Sequence, residues 1–141
     1  MTAMTSLRAG LLAAFLASGP AAADTTQAMR TALELAAGRD WEGALAVAPA
    51  GVGRDVVEWQ RLRAGEGRLG DYESFLARNP DWPGLALLRE KGEEAVARSD
   101  DPARVIAWFK AGPPQTGTGT VAYVRALLAQ DQVAEAETAA R

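Results

Sequence analysis

The sequence predicts an all-α protein in which antiparallel helical hairpins stack into a right-handed superhelix, an α-solenoid, behind an N-terminal export signal. Three observations predict it. Beyond residue 24 every segment reads as helix, with apolar residues recurring at steps of three and four. Apolar residues make up 48% of the chain but aromatics only 6%, so the core must be built from small side chains, which favours helix packed on helix. Finally, Asp40, Asp71, Asp101 and Asp131 fall at steps of 31, 30 and 30 residues. An even beat of polar cap followed by apolar stripe marks a helical-hairpin repeat.

The first helix is expected over residues 26–37, with Met29, Leu33 and Ala36 or Ala37 on one face and Gly38 as a left-handed end. Asp40 is the expected N-cap of a second helix over 41–48, which buries Trp41, Ala44, Leu45 and Ala48 before Pro49 and Gly51 break it. The third covers 54–66, with Val56, Val57, Trp59, Leu62 and Arg63 in register. Asp71 is expected to cap the fourth, "YESFLARN", whose stripe is Tyr72, Phe75 and Leu76. A fifth over 84–98 uses Leu85, Leu88, Ala95 and Val96. Asp100 or Asp101 caps a sixth, with Pro102 in its first turn, where a missing N–H costs little. Its stripe is Val105, Ile106, Trp108 and Phe109, and Gly112-Pro113-Pro114 stops it. The seventh, over 120–129, points Val121, Val124, Leu127 and Leu128 inward, and an eighth starts at Val133.

Eight helices make four hairpins. Their period is shorter than the about 34 residues of a tetratricopeptide repeat, so the fold expected is a shortened relative of that solenoid. Each hairpin of such a stack buries its face only against its neighbours. The last helix ends at Arg141 with no glycine stop and no capping pattern. The repeat domain, residues 24–141, is therefore expected to continue into a longer protein.

Residues 1–23 read "MTAMTSLRAGLLAAFLASGPAAA": one positive charge at Arg8, a short apolar run over 11–17, then small residues ending in Ala-Ala-Ala. This is the form of a secretory signal, with cleavage expected before Asp24 and the mature chain in a periplasm. An uncleaved anchor is the competing reading. The run is far shorter than the roughly 20 residues that span a bilayer, so no stable anchor is expected after cleavage.

Composition excludes several kinds of chemistry. The chain of 141 residues has no Cys and no His, which removes thiolate sites, disulfides and the commonest metal ligand and general base. No cofactor and no metal is expected. With 15 basic residues scattered among 18 acidic ones, nucleic acid is not an expected partner.

The stretch "NPDWPGLALLREKGEEAV", residues 79–96, sets Trp82 between two prolines. Pro80 ends the fourth helix, because the residue before a proline avoids the helical region. Asp81 then caps the fifth helix and Pro83 fixes its first turn. Trp82 reads as a staple across two hairpins, with a platform for a sugar ring as the sharper alternative. Trp41, Trp59, Trp108, Tyr72 and Phe75 read as core rather than as the lining of a saccharide groove. Glu90, Glu93 and Glu94, beside Arg89 and Lys91, read as a solvated face. Paired catalytic carboxylates would need a spacing of about 5 to 9.5 Å across a cleft. Gly84 and Gly92 suit close helix contact. The "TGTGT" over 116–120 lacks the Lys-Ser/Thr ending of a phosphate loop.

The segment "YESFLARNPDWPGLALLREKGEEAV" resembles the N-terminal helical region of soluble lytic murein transglycosylases, where a F-L-x-x-x-P-x-W-P-x-x-x-x-L-R-x-x-x-E pattern follows an export signal and alanine-rich hairpins. Phe75, Leu76, Pro80, Trp82, Pro83, Leu88, Arg89 and Glu93 carry the match, over about a fifth of the chain. The resemblance implies a U-shaped or ring-like scaffold. In that family a C-terminal lysozyme-like domain cleaves the bond between N-acetylmuramic acid and N-acetylglucosamine, leaving a 1,6-anhydro end. The motifs of that catalytic domain are absent here, so no catalytic residue is assigned and the chain alone is expected to be inactive. The implied partner is the glycan strand of peptidoglycan, engaged by the full-length protein. The alternative is a free-standing periplasmic adaptor that holds a partner protein in its concave face.

Overall fold

A computed structural model describes residues 20–141, with side-chain environments from residue 22. Most of the expected signal segment, residues 1–19, lies outside the described residues. The described residues form eight helices in the order α1 (Pro20–Ala37), α2 (Trp41–Val47), α3 (Val52–Arg63), α4 (Leu69–Arg78), α5 (Leu85–Ala97), α6 (Pro102–Phe109), α7 (Gly117–Ala129) and α8 (Val133–Ala139). They contain no strand, so the fold is all-α. None of these helices is long and apolar enough to cross a membrane. α1 covers more than the expected 26–37, because Ala21-Ala22-Ala23 is strong helix former. It runs unbroken past Asp24.

Consecutive helices pack together, and the odd-numbered ones also meet in a row: α1 with α3, α3 with α5, α5 with α7. The backbones of α2, α4, α6 and α8 do not approach one another. Two apolar clusters lie along this row. The smaller joins α1, α2 and α3 through Ala32, Ala36, Ala44 and Val57. The larger runs from α3 to α7 through Leu62, Tyr72, Phe75, Leu88, Val96, Trp108 and Phe109.

Three hairpins share one turn. At each, the last turn of the first helix closes with a pair of backbone hydrogen bonds around a left-handed residue. In the first hairpin Arg39 N–H donates to Ala36 and Asp40 N–H to Leu35. In the second Gly65 donates to Leu62 and Glu66 to Arg61, and in the fourth Asp131 donates to Leu128 and Gln132 to Leu127. The left-handed positions are Arg39 (φ 62°), Gly65 (φ 81°) and Asp131 (φ 57°), the geometry that satisfies orphan carbonyls at a helix end. The expected left-handed residue Gly38 is corrected to its neighbour Arg39.

The caps follow the expected beat only in part. Asp40 accepts from Gly43 N–H at 2.9 Å and caps α2. Asp101, rather than Asp100, accepts from Arg104 N–H at 3.1 Å and caps α6, with Pro102 in the first turn. Asp71 is corrected: α4 starts earlier, with Arg68 as N-cap, and the Asp71 carboxylate in the first turn accepts Arg68 N–H at 3.0 Å. Asp131 is the left-handed turn residue and Gln132 the N-cap of α8. The N-caps of the second helices, Asp40, Arg68, Asp101 and Gln132, thus fall at steps of 28, 33 and 31.

Two helices are rotated from their expected faces. On α7, Leu127 is buried as expected, but Val121 and Leu128 are about half exposed and Ala126 is buried in their place. On α1, Ala32 and Ala36 are buried and Leu33 is exposed. Arg63, placed in the stripe of α3, is exposed and lies over the Trp59 ring, 4.4 Å from its centroid.

Candidate functional site

The segment between α4 and α5 is a packed joint. Phe75 is fully buried, and the Trp82 ring meets it edge to face with centroids 5.7 Å apart. Such pairs favour this geometry because the ring edge is positive and the face negative. Asn79 closes α4, its N–H donating to Phe75, and Trp82 N–H donates back to Asn79 at 3.2 Å. Pro80 sits exposed in that turn. The Trp59 indole N–H reaches across from α3 to the Pro83 carbonyl at 3.1 Å, and Leu88 is buried beneath. The expected roles of Asp81 and Pro83 are corrected. α5 begins only at Leu85, and its N-cap is Gly84 at φ 74°, with no side-chain cap. A left-handed cap is adopted by glycine without the steric cost other residues meet, so Gly84 serves backbone conformation rather than close helix contact. Gly92 does serve contact: a Cβ there would sit 2.6 Å from the Trp108 ring.

Glu93 overturns the expectation of a solvated face. It is 1% exposed, the one buried charged side chain among the described residues. Its carboxylate accepts the backbone N–H of Gln115 at 2.7 Å, the N–H of Thr116 at 2.8 Å and the Thr116 hydroxyl. Thr116 is the N-cap of α7 and accepts from Gly119 N–H at 3.0 Å. The positive end of α7 thereby faces an internal anion. Gly119 is required by the same contact, because a Cβ there would collide with the carboxylate. With its oxygens committed to three donors, Glu93 is a structural anchor rather than a free acid or base. The adjacent cavity, lined by Arg89, Trp108 and Gln115, measures about 20 Å³. That is room for one water and not for a substrate.

The segment's other charged member, Arg89, is half-buried over α6 beside Trp108. Glu90 pairs with Lys91 at 3.3 Å, and Glu94 is exposed. No two carboxylates of this segment face each other across a cleft. Among the described residues no cluster of acidic side chains could hold a metal ion.

A cleft of about 220 Å³ lies against the segment beside Glu73, Leu76 and Arg89, and two larger ones lie elsewhere. One, of about 610 Å³, runs along α7 against the α5–α6 turn, with Asp100, Val121 and Arg125 on its walls. The other, of about 500 Å³, lies between α2 and the α3–α4 turn, with Trp41, Leu45, Arg61 and Asp71. In this second cleft burial acts to raise the Asp71 pKa. The Arg68 N–H and the Arg61 guanidinium, 3.1 Å away, outweigh it and hold the carboxyl below its ordinary value. Burial pushes the Tyr72 phenol up, and its hydroxyl donates to the Leu62 carbonyl at 2.9 Å.

No protein-family model, curated protein or solved structure matches the chain. The residues that carry the resemblance, Phe75, Leu76, Pro80, Trp82, Pro83, Leu88, Arg89 and Glu93, all lie on α4, α5 and the joint between them. Sequence reasoning missed both the anchoring role of Glu93 and the clefts. The available signal was the pairing of a mid-helix Glu with a Thr-Gly-Thr-Gly cap 23 residues later.

Proposed function

We propose that this chain is the N-terminal helical scaffold of an exported lytic transglycosylase, a right-handed solenoid of short tetratricopeptide-like hairpins that shapes a path for peptidoglycan strands. The observation that carries the reading is the division of labour in the Tyr72–Val96 segment. Phe75, Trp82, Leu88 and Glu93 each join one helix to another, and none is placed for chemistry. A segment whose large and charged side chains serve packing rather than reactivity is what a scaffold requires. The meeting of odd-numbered helices in a row supports the solenoid arrangement, and the repeated left-handed turn supports the hairpin unit. Catalysis belongs to a lysozyme-like domain outside this sequence.

The coding DNA beyond the codon for Arg141 tests the scaffold reading. An open frame running into a lysozyme-like segment with a Glu-Ser motif supports it, and an immediate stop overturns it. Export is tested by intact mass of the secreted chain, with a mature N-terminus at Asp24 expected.

A second reading, a periplasmic adaptor for a partner protein, is favoured by the 610 Å³ cleft along α7. There Val121 is 51% exposed, and Asp100 and Arg125 make no ion pair among the described residues. Recovery of one stoichiometric partner, lost in Arg125→Glu, would place this reading first.

A further inference from the structure

The cleft between α2 and the α3–α4 turn contains an anomaly. Trp41 Nε1 and Arg61 Nε are the two buried side-chain polar atoms without a hydrogen-bond partner among the described residues, and both side chains line this one cleft. A buried N–H left unpaired costs about 1–3 kcal/mol, and native proteins leave few of them. The other groups nearby are matched. Arg61 spends its remaining nitrogens on the Asp71 carboxylate at 3.1 Å and the Glu66 carbonyl at 2.8 Å. The Glu66 carboxylate is taken by Arg39.

The geometry points to a binding site for an uncharged pyranose sugar. Indole and guanidinium N–H groups only donate, so the atoms they await are oxygen acceptors. Outside the ion pairs Arg61–Asp71 and Arg39–Glu66, the cleft carries one carboxylate, Glu42, and one guanidinium, Arg68, whose charge also acts on Asp71. They are opposite in sign and leave no preference for an ionic ligand. Glu42 accepts and Arg68 donates, so the ligand must do both, as hydroxyl groups do. Trp41 and Leu45 supply an apolar wall for the C–H face of a ring. The volume of about 500 Å³ lies within the roughly 300–1,000 Å³ of small-molecule sites. Both nitrogens are covered, so binding requires a side-chain shift at Trp41 and Arg61. None of the lining residues falls in the Tyr72–Val96 segment, so the site stands apart from the transglycosylase reading.

Titration of the full chain, labelled at its indole nitrogens, with methyl β-glucopyranoside tests this by NMR. The Trp41 indole signal should move and saturate, while that of Trp59, already bonded to Pro83, stays in place. Trp41→Phe, which retains the ring packing, should abolish saturable binding, read for this variant as glycoside shifts at backbone amides of the cleft. Arg61→Lys, which keeps a charge for Asp71 but removes Nε, should weaken binding about tenfold. Thermal melts of both variants establish that they fold. Equal movement of Trp41 and Trp59, or no saturation, overturns the proposal. A response to acetate or to N-acetylglycinamide with none to the glycoside also overturns it, by assigning the cleft to an anion or to a peptide amide.

Discussion

Glu93, in the middle of α5, and Thr116, the cap of α7, form a polar joint inside an otherwise apolar stack. The carboxylate belongs to one hairpin and its donors to the next, so the placement of α7 depends on an anion more than 20 positions earlier. Glu93→Ala strands two backbone N–H groups and should lower stability by about 3 kcal/mol. Urea unfolding is the check, and a midpoint equal to that of the parent chain would sink the anchor assignment. Glu93→Gln keeps one acceptor and should fall between the two.

Gly119 and Gly117 should respond in opposite directions. An alanine in a helix ordinarily gains up to about 1 kcal/mol over glycine. At Gly119 the added methyl collides with the Glu93 carboxylate, and overpacking of about 1–3 kcal/mol outweighs that gain. At Gly117 nothing lies within 4 Å, so Gly117→Ala should be neutral or mildly stabilising. Paired thermal melts decide it.

Trp82→Ala removes the edge-to-face partner of Phe75 and the wall between α4 and α5. A cost of about 2–3 kcal/mol is expected, less than for a fully buried tryptophan. Trp82→Phe should recover most of it. A sugar platform at this position would instead leave stability unchanged in Trp82→Ala.

Tyr72 makes the alkaline limb of stability steep. Its pKa is raised in the folded chain above the ordinary 10.0, so the stability it lends is fully present below pH 10 and lost as pH rises through the raised value. Tyr72→Phe should cost about 1 kcal/mol at neutral pH through the lost bond to Leu62. Above pH 10 its stability should fall less steeply than that of the parent, as read by denaturant unfolding across pH.

Asp71 acts at the other end of the scale. Its folded pKa is lowered, so its contribution is present above the ordinary 3.8 and disappears as pH falls through the lower folded value. Asp71→Asn should be less stable than the parent at pH 7, with the difference closing on acidification below about pH 4.

What was legible in the sequence is what local chemistry decides. Asp40, Asp101 and Pro102 announced their helices because a cap bonds to residues two or three positions away. Tyr72, Phe75 and Leu88 announced the core because they fall on apolar stripes at steps of three and four. The phase of α7 was not legible: residues 121–129 are almost all apolar, so several faces fit equally well and only packing against α5 and α6 selects one. Glu93 was hidden among Glu90 and Glu94, since its donors lie in a distant loop. Arg39 was missed beside Gly38 because the turn geometry fixes which residue must be left-handed, whatever its side chain. The unpaired nitrogens of Trp41 and Arg61 exist only once two hairpins meet.

The row of odd-numbered helices has a mechanical meaning. Where α1, α3, α5 and α7 touch in succession and their partners stay apart, the helices form a continuous packed spine with an open rim. Arg39–Glu66 ties the turns of the first two hairpins, and Arg104–Glu73 ties α6 to α4. Both ties are exposed and screened by salt, so they should loosen as the ionic strength rises while the apolar contacts between the odd-numbered helices persist.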